Sequence, residues 1–131
     1  MMEPGAPMDD APVRVNGHDP VDCWLLDHTG NRFQAIVYAD DVARVDSVAL
    51  ARLRDSAIGV EPIIVTPGNA AVPGIKTLHD TKGRFAQRYD AQDGTVYLVR
   101  PDQHVAARWR AFDGKRVQAA VKRATCTAGN A

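Results

Sequence analysis

At 131 residues the chain has room for one domain with a modest core and not for two. Lys plus Arg and Asp plus Glu both number 16, so net charge gives no pull toward nucleic acid or an anionic membrane. The hydrophobic share of 45% suits an ordinary globule. No apolar run approaches a bilayer span and the first residues lack a basic-then-apolar export pattern, so a cytoplasmic protein is expected.

Residues 1–20 are rich in Pro, Gly, Asp and Ala without periodicity and read as a leader with little structure. The doubled Met at its start reads as a cloning Met before a natural one, so the chain is expected to begin where its gene begins and not to be a piece cut from a longer enzyme. Val21 to Leu26, around Trp24, reads as the first strand, and Asp27 to Asn31 as a turn cluster. Arg32 to Tyr38 is a nearly continuous apolar run, the mark of a central strand covered on both faces. Asp40 or Asp41 then caps a helix whose buried face is Val42, Val45, Val48 or Ala49, Leu50 and Leu53, ending near Ile58 and Gly59. Glu61 to Thr66 is a buried strand, and the helix-length crossover before it makes the two strands parallel.

Residues 69–76 read as a loop, and Leu78 to Tyr89 as a short helix broken or kinked at Gly83. Thr95 to Val99 is a run of β-branched and aromatic residues. Arg100-Pro-Asp-Gln103 turns the chain, with Pro101 presetting φ and Asp102 able to bond its own neighbours. His104 to Trp109 returns as the second strand of a hairpin. Arg100 and Arg108 then flank one turn, in reach of a shared acidic partner or of the hairpin ends. Asp113 caps a closing helix to Ala124, with Val117, Ala120, Val121 and Ala124 toward the sheet and Lys115, Arg116, Lys122 and Arg123 toward water. Residues 125–131 read as a frayed tail. The domain is thus 21–124, an α/β fold of order β-βαβ-α-ββ-α.

Leu98-Val-Arg-Pro-Asp-Gln-His-Val-Ala-Ala-Arg-Trp109 resembles the LVRPDGHVAWRW-type signature of the C-terminal domain of FAD-dependent aromatic-ring hydroxylases, the phenol hydroxylase-like flavin monooxygenases. Asn31-Arg-Phe-Gln-Ala-Ile-Val37 is similar to that domain's opening phrase. The resemblance implies a thioredoxin-like fold, a mixed central sheet flanked by helices, and a domain that serves subunit contacts. It marks Leu98, Val99, Arg100, Pro101, Asp102, His104, Val105, Arg108 and Trp109 as a structural or interface hairpin. Gln103 stands where the family usually has Gly, so the turn is expected not to need a positive φ. Ala107 stands where the family usually has Trp, so one large side chain is missing.

Chemistry is mostly excluded. A thioredoxin-type oxidoreductase needs a low-pKa thiolate at the start of the first long helix, and Ala39-Asp-Asp-Val-Ala43 offers carboxylates instead. Asp80 to Tyr89, the strand after it and Arg-Pro-Asp also resemble the second half of peroxiredoxins, but no thiol stands near Ala43 and Cys23 lies upstream of the central strand. Cys23 and Cys126 read as free thiols, and with His18, His28, His79 and His104 they do not make paired zinc-ligand spacings. His79-Asp80 reads as a solvated loop pair before a metal pair or acid/base dyad, and Asp102 with Arg100 and Arg108 as a structural turn before an anion site. Gly59, Gly68 and Gly74 form no GxGxxG turn, so the chain is expected to bind no FAD, although the related full-length enzymes use it.

The expectation is therefore a non-catalytic module that self-associates or docks on a flavin monooxygenase, with no nucleic acid and no membrane. Two alternatives stand beside it. One is a part of an FAD-dependent monooxygenase, an oxidoreductase hydroxylating an aromatic substrate. The other is a small-ligand module using the groove where thioredoxins hold substrate.

Overall fold

The computed structural model describes residues 2–15 and 21–129. One seven-stranded mixed sheet is built from β1 (Pro12–Val15), β2 (Val21–Trp24), β3 (Phe33–Tyr38), β4 (Val60–Thr66), β5 (Lys76–His79), β6 (Val96–Val99) and β7 (Val105–Trp109). Their order across the sheet is β2-β1-β5-β4-β3-β6-β7. β3, β4 and β5 run parallel; β6 is antiparallel to β3, and β7 to β6. The helices are α1 (Ser47–Arg52), α2 (Arg84–Arg88) and α3 (Gly114–Gly129). The β3-α1-β4 unit followed by α2, β6, β7 and α3 is the expected thioredoxin-like layout, with β1 and β5 added on the β4 side.

All six residues of β3 are buried, as the unbroken apolar run requires. Alternation sorts them: Ile36 and Tyr38 face one core with Ile63, Val65, Phe85, Tyr89 and Tyr97. Phe33, Ala35 and Val37 face the other with Ile64, Leu98, Leu50, Leu53, Val117 and Val121. α2 therefore covers one face, and α1 with α3 the other. Pro62 is tolerated in β4 because β5 pairs only from Ile63 onward, so its missing N–H interrupts no ladder on that side.

Five expectations need correction. The leader is not structureless over its described part: β1 joins the sheet, and Met2, Met8, Ala11 and Val13 are buried. Gly5 N–H donates to the Val105 carbonyl at 2.6 Å and Met8 N–H to that of Gln103 at 2.9 Å, while Tyr89 Oη donates to the Asp9 carbonyl. A polar, Pro-rich segment is ordered here by the core it covers, a tertiary effect that local propensity does not encode. Residues 16–20 lie outside the described set.

The helix expected over 42–58 is split into a 3₁₀ turn (Val42–Arg44), α1 and a second 3₁₀ turn (Leu53–Asp55). Two caps compete: the Asp41 carboxylate accepts from Ala43 N–H and that of Asp46 from Ala49 N–H, both at 3.0 Å. Leu50 and Leu53 are buried as expected, but Val48 is 61% exposed. Lys76–His79, read as loop and helix, forms β5, and Gly83 caps α2 at φ +67° rather than kinking it. α3 runs on to Gly129, past the expected end at Ala124; residues 130 and 131 lie outside the described set.

The fifth correction is Gln103, which does take a positive φ, +62°. Its side-chain amide donates to the Leu26 carbonyl at 2.9 Å and to Thr29 Oγ1 at 3.0 Å, fastening the hairpin turn to the loop before β3. A left-handed non-Gly residue costs roughly 1 kcal/mol, and these bonds, each worth about 1 kcal/mol net, offset it. Gln103→Ala keeps the strain and deletes the bonds, so urea unfolding should show a loss of about 1–2 kcal/mol. Gln103→Gly relieves the strain and should lose less. Equal stability of the Ala variant and the parent would contradict this account.

Candidate functional site

Two places invite function: the β6–β7 hairpin and the carboxyl end of β3. In the hairpin, Leu98, Val99 and Val105 are fully buried. Arg100 N–H donates to the His104 carbonyl at 2.8 Å, and Gln103 N–H to that of Arg100 at 2.9 Å. The Arg100 guanidinium grips both carboxylate oxygens of Asp102, which holds the Asp102 carboxyl below its usual range. His104 N–H donates to Asp102 Oδ1 at 3.3 Å, and the Pro101 carbonyl accepts from Asn31 N–H at 2.9 Å. Arg108 points elsewhere, toward the Met2 carbonyl at 3.5 Å. Arg100 and Arg108 thus share no partner, and the Arg-Pro-Asp turn spends its polar groups on itself. A β-bulge at Leu98/Val99 lets Ala106, Ala107 and Trp109 all pack toward α3. Beside the turn an open groove of about 690 Å³ is floored by Phe33, Val105, Ala106 and Ala120.

The end of β3 is where a thioredoxin-type protein carries its thiol. Tyr38 N–H donates to the Thr95 carbonyl at 2.9 Å, and the Tyr38 carbonyl accepts from Gly94 N–H at 2.8 Å. Asp40 N–H donates to Asp93 Oδ1 at 2.9 Å. Gly94 has φ +92°, and a Cβ there would lie 3.1 Å from the Arg110 carbonyl oxygen. The small groove at this seam, about 280 Å³, has Val37, Leu50 and Phe112 in its wall and Asp41, Asp46 and Asp93 on its rim. Its described lining has no thiol, and its carboxylates outnumber the one cation there, Arg44, which disfavours a thiolate or a phosphate. The βα turn after β3 has no glycine, so these residues do not fit the pyrophosphate of a dinucleotide.

Cys23 lies on β2, with Sγ 3.2 Å from His28 Nε2. Burial first, then Asp27 and Asp22, push its thiol pKa up, while burial and Lys76 push the His28 imidazole down. Both effects favour a neutral thiol donating to a neutral ring over a thiolate–imidazolium pair. The side chain of Cys126 lies outside the described set. His79 and Asp80 are split: His79 Nδ1 meets the Gly68 carbonyl at 2.6 Å, and the Asp80 carboxylate caps α2 at Phe85 and Ala86 N–H. The buried Nε2 of His79 has no hydrogen-bond partner among the described residues. Among the described residues no group of three or more His, Cys, Asp or Glu is placed to hold a metal, and no helix is long and apolar enough to cross a membrane.

Sequence reasoning missed one feature. Trp24 falls in an apolar run expected to form a strand, yet it is 51% exposed and borders a groove of about 530 Å³ with Lys82, Arg84 and Arg88. Four residues of an edge strand carry too little alternation to tell which face is wet.

Residues 12–124 match the HcaD C-terminal domain family, and the chain belongs to it. The flavin-dependent monooxygenase PieE, whose structure holds FAD and substrate, is 27% identical over 87% of this chain, with a TM-score of 0.60. The match spans only 18% of PieE. A thiol peroxidase from Chromobacterium violaceum is 16% identical, with a TM-score of 0.73, covering 95% of this chain and 89% of that one. The bacterioferritin comigratory protein of Xanthomonas campestris is 13% identical, with a TM-score of 0.66, covering 94% and 98%. These two show the thioredoxin-like fold. A search of curated protein sequences found no match.

Burial and the flanking carboxylates should make Cys23 a slow nucleophile. In a Cys126→Ser background, its iodoacetamide rate against pH should reach half-maximum above the range of an exposed thiol. Asp27→Asn should shift the midpoint down. A midpoint near neutrality would show a thiolate that this environment does not support.

Proposed function

We propose that this member of the HcaD C-terminal domain family is a non-catalytic module that works through its surface, by self-association or by docking on a flavin monooxygenase. The observation that carries the reading is the end of β3: the chain shares its fold with a thiol peroxidase, while Ala39-Asp-Asp-Val-Ala43, where a thioredoxin-like thiol is expected, has carboxylates and no cysteine. The hairpin supports it from another direction. Leu98, Val99, Arg100, Pro101, Asp102, His104, Val105, Arg108 and Trp109 are spent on packing and on closing the turn, which suits a contact-bearing structural element rather than a reacting one.

A second reading has its own support. The similarity to PieE lies in a portion less than a fifth of that enzyme's length, so this chain serves equally as one part of an FAD-dependent oxidoreductase acting on an aromatic substrate. FAD would then be held by other parts of such an assembly, since the βα turn here does not suit it.

Light scattering of the purified chain over a wide concentration range, alone and mixed with a flavin monooxygenase shortened by its corresponding region, tests the leading reading. A concentration-dependent dimer or a stable complex is the expected result. A strict monomer that ignores the flavoprotein would overturn it. Flavin absorbance retained by the chain on its own would favour the second reading.

A further inference from the structure

The two outer edges of the sheet are treated differently. At β7 the edge is closed where it begins: Gly5 N–H donates to the Val105 carbonyl, and Val105 N–H to that of Ala6 at 2.9 Å. At the other edge, β2 pairs with β1 alone, and among the described residues no strand lies on its outer side. An unpaired strand edge presents a row of backbone donors and acceptors to any extended chain that approaches.

This open edge also carries the most promising anchor on the surface. Trp24 stands opposite Pro12 in the β1–β2 register and is half exposed, in a fold that buries Tyr89 and Tyr97 almost completely. Exposed indoles ringed by cations are typical anchors of protein contacts. The groove beside it has three cations, Lys82, Arg84 and Arg88, against one carboxylate, Asp22. Asp22 is neutralised by Arg14 at 2.9 Å. Among the described residues Arg84 bonds Gln87 Oε1 and Arg88 the carbonyl of Asp10, both neutral groups, so the cations of the groove outnumber its one carboxylate. In a chain of zero net charge, this is a local positive rim.

We propose that the β2 edge is the docking edge of the module, and that its partner is an acidic extended segment of another protein. The segment adds as a strand outside β2, lays an apolar side chain on Trp24, and sets its carboxylates against Lys82 and Arg84. This deepens the docking role above and rests on it. A single-stranded nucleic acid would also stack on an indole among cations. It would make no use of the open backbone ladder, however.

The test uses the full chain and a fluorescein-labelled octapeptide of alternating Val and Glu, read by anisotropy. A Val-Lys octapeptide and an oligothymidylate serve as competing probes. The acidic peptide should bind at low salt and be released at high salt. Trp24→Ala should weaken it at least about tenfold, and Lys82→Glu with Arg84→Glu should transfer preference to the basic peptide. Melting curves should show both variants folded, since these side chains are exposed or half-exposed. Failure of the acidic peptide to bind, equal binding by Trp24→Ala, or preference for the oligothymidylate would overturn the proposal. If the flavoprotein complex forms and survives these substitutions, docking uses another face and only this inference fails. If no such complex forms while the acidic peptide binds as described, the edge stands and the flavoprotein partner falls.

Discussion

The structure depends on β3 being buried on both faces between a parallel neighbour and an antiparallel one. A strand with no wet side must be supplied with two apolar layers, and the chain supplies them in turn. α1 and α3 bring Leu50, Leu53, Val117 and Val121 to one face; α2 and the N-terminal segment bring Phe85, Tyr89, Met2 and Met8 to the other. The same arrangement fixes where β3 stops. Bonds from Tyr38 and Asp40 to Thr95, Gly94 and Asp93 close the seam at its carboxyl end. Carboxylates line this seam, and two of them, Asp41 and Asp46, cap the turn and the helix that follow.

The hairpin is stabilised from outside as much as from within. Its strands bury Leu98, Val99 and Val105, and Arg100 with Asp102 closes its turn. Gln103 then fastens the turn to the β2–β3 loop, and Gly5, Ala6 and Met8 close the adjoining edge. The Arg100–Asp102 pair is partly exposed and contributes little on its own. Its value lies in ordering a turn whose other bonds are backbone. The β7 edge is closed where it begins, whereas among the described residues no strand pairs outside β2.

Much of this was legible in the sequence, for identifiable reasons. The unbroken apolar runs at Phe33–Tyr38, Val60–Thr66 and Val96–Val99 exceed what a solvated segment would carry, and the helix-length spacing of the first two makes them parallel. The dozen residues from Leu98 to Trp109 carried the family. What escaped has no local signature. β1 and β5 have four residues each and exist because neighbouring strands pair with them. The N-terminal segment looks disordered by composition and is ordered by the core beneath it. α1 was overextended because the Leu50 and Leu53 spacing is helical, while the competing caps at Asp41 and Asp46 are visible only once the backbone is known. Steric preference alone gives no positive φ at Gln103, and the hydrogen bonds that outweigh that preference join residues 77 and 74 positions apart in sequence.

The proposal of a thioredoxin-like module without thiol chemistry has a direct test. The purified chain, with both cysteines reduced, should be offered hydrogen peroxide and an alkyl hydroperoxide in the presence of a dithiol reductant, and peroxide consumption followed. The account expects consumption no faster than with the reductant alone, unchanged by Cys23→Ser or Cys126→Ser. Turnover that either substitution abolishes would show a working thiol in this polypeptide and contradict the account.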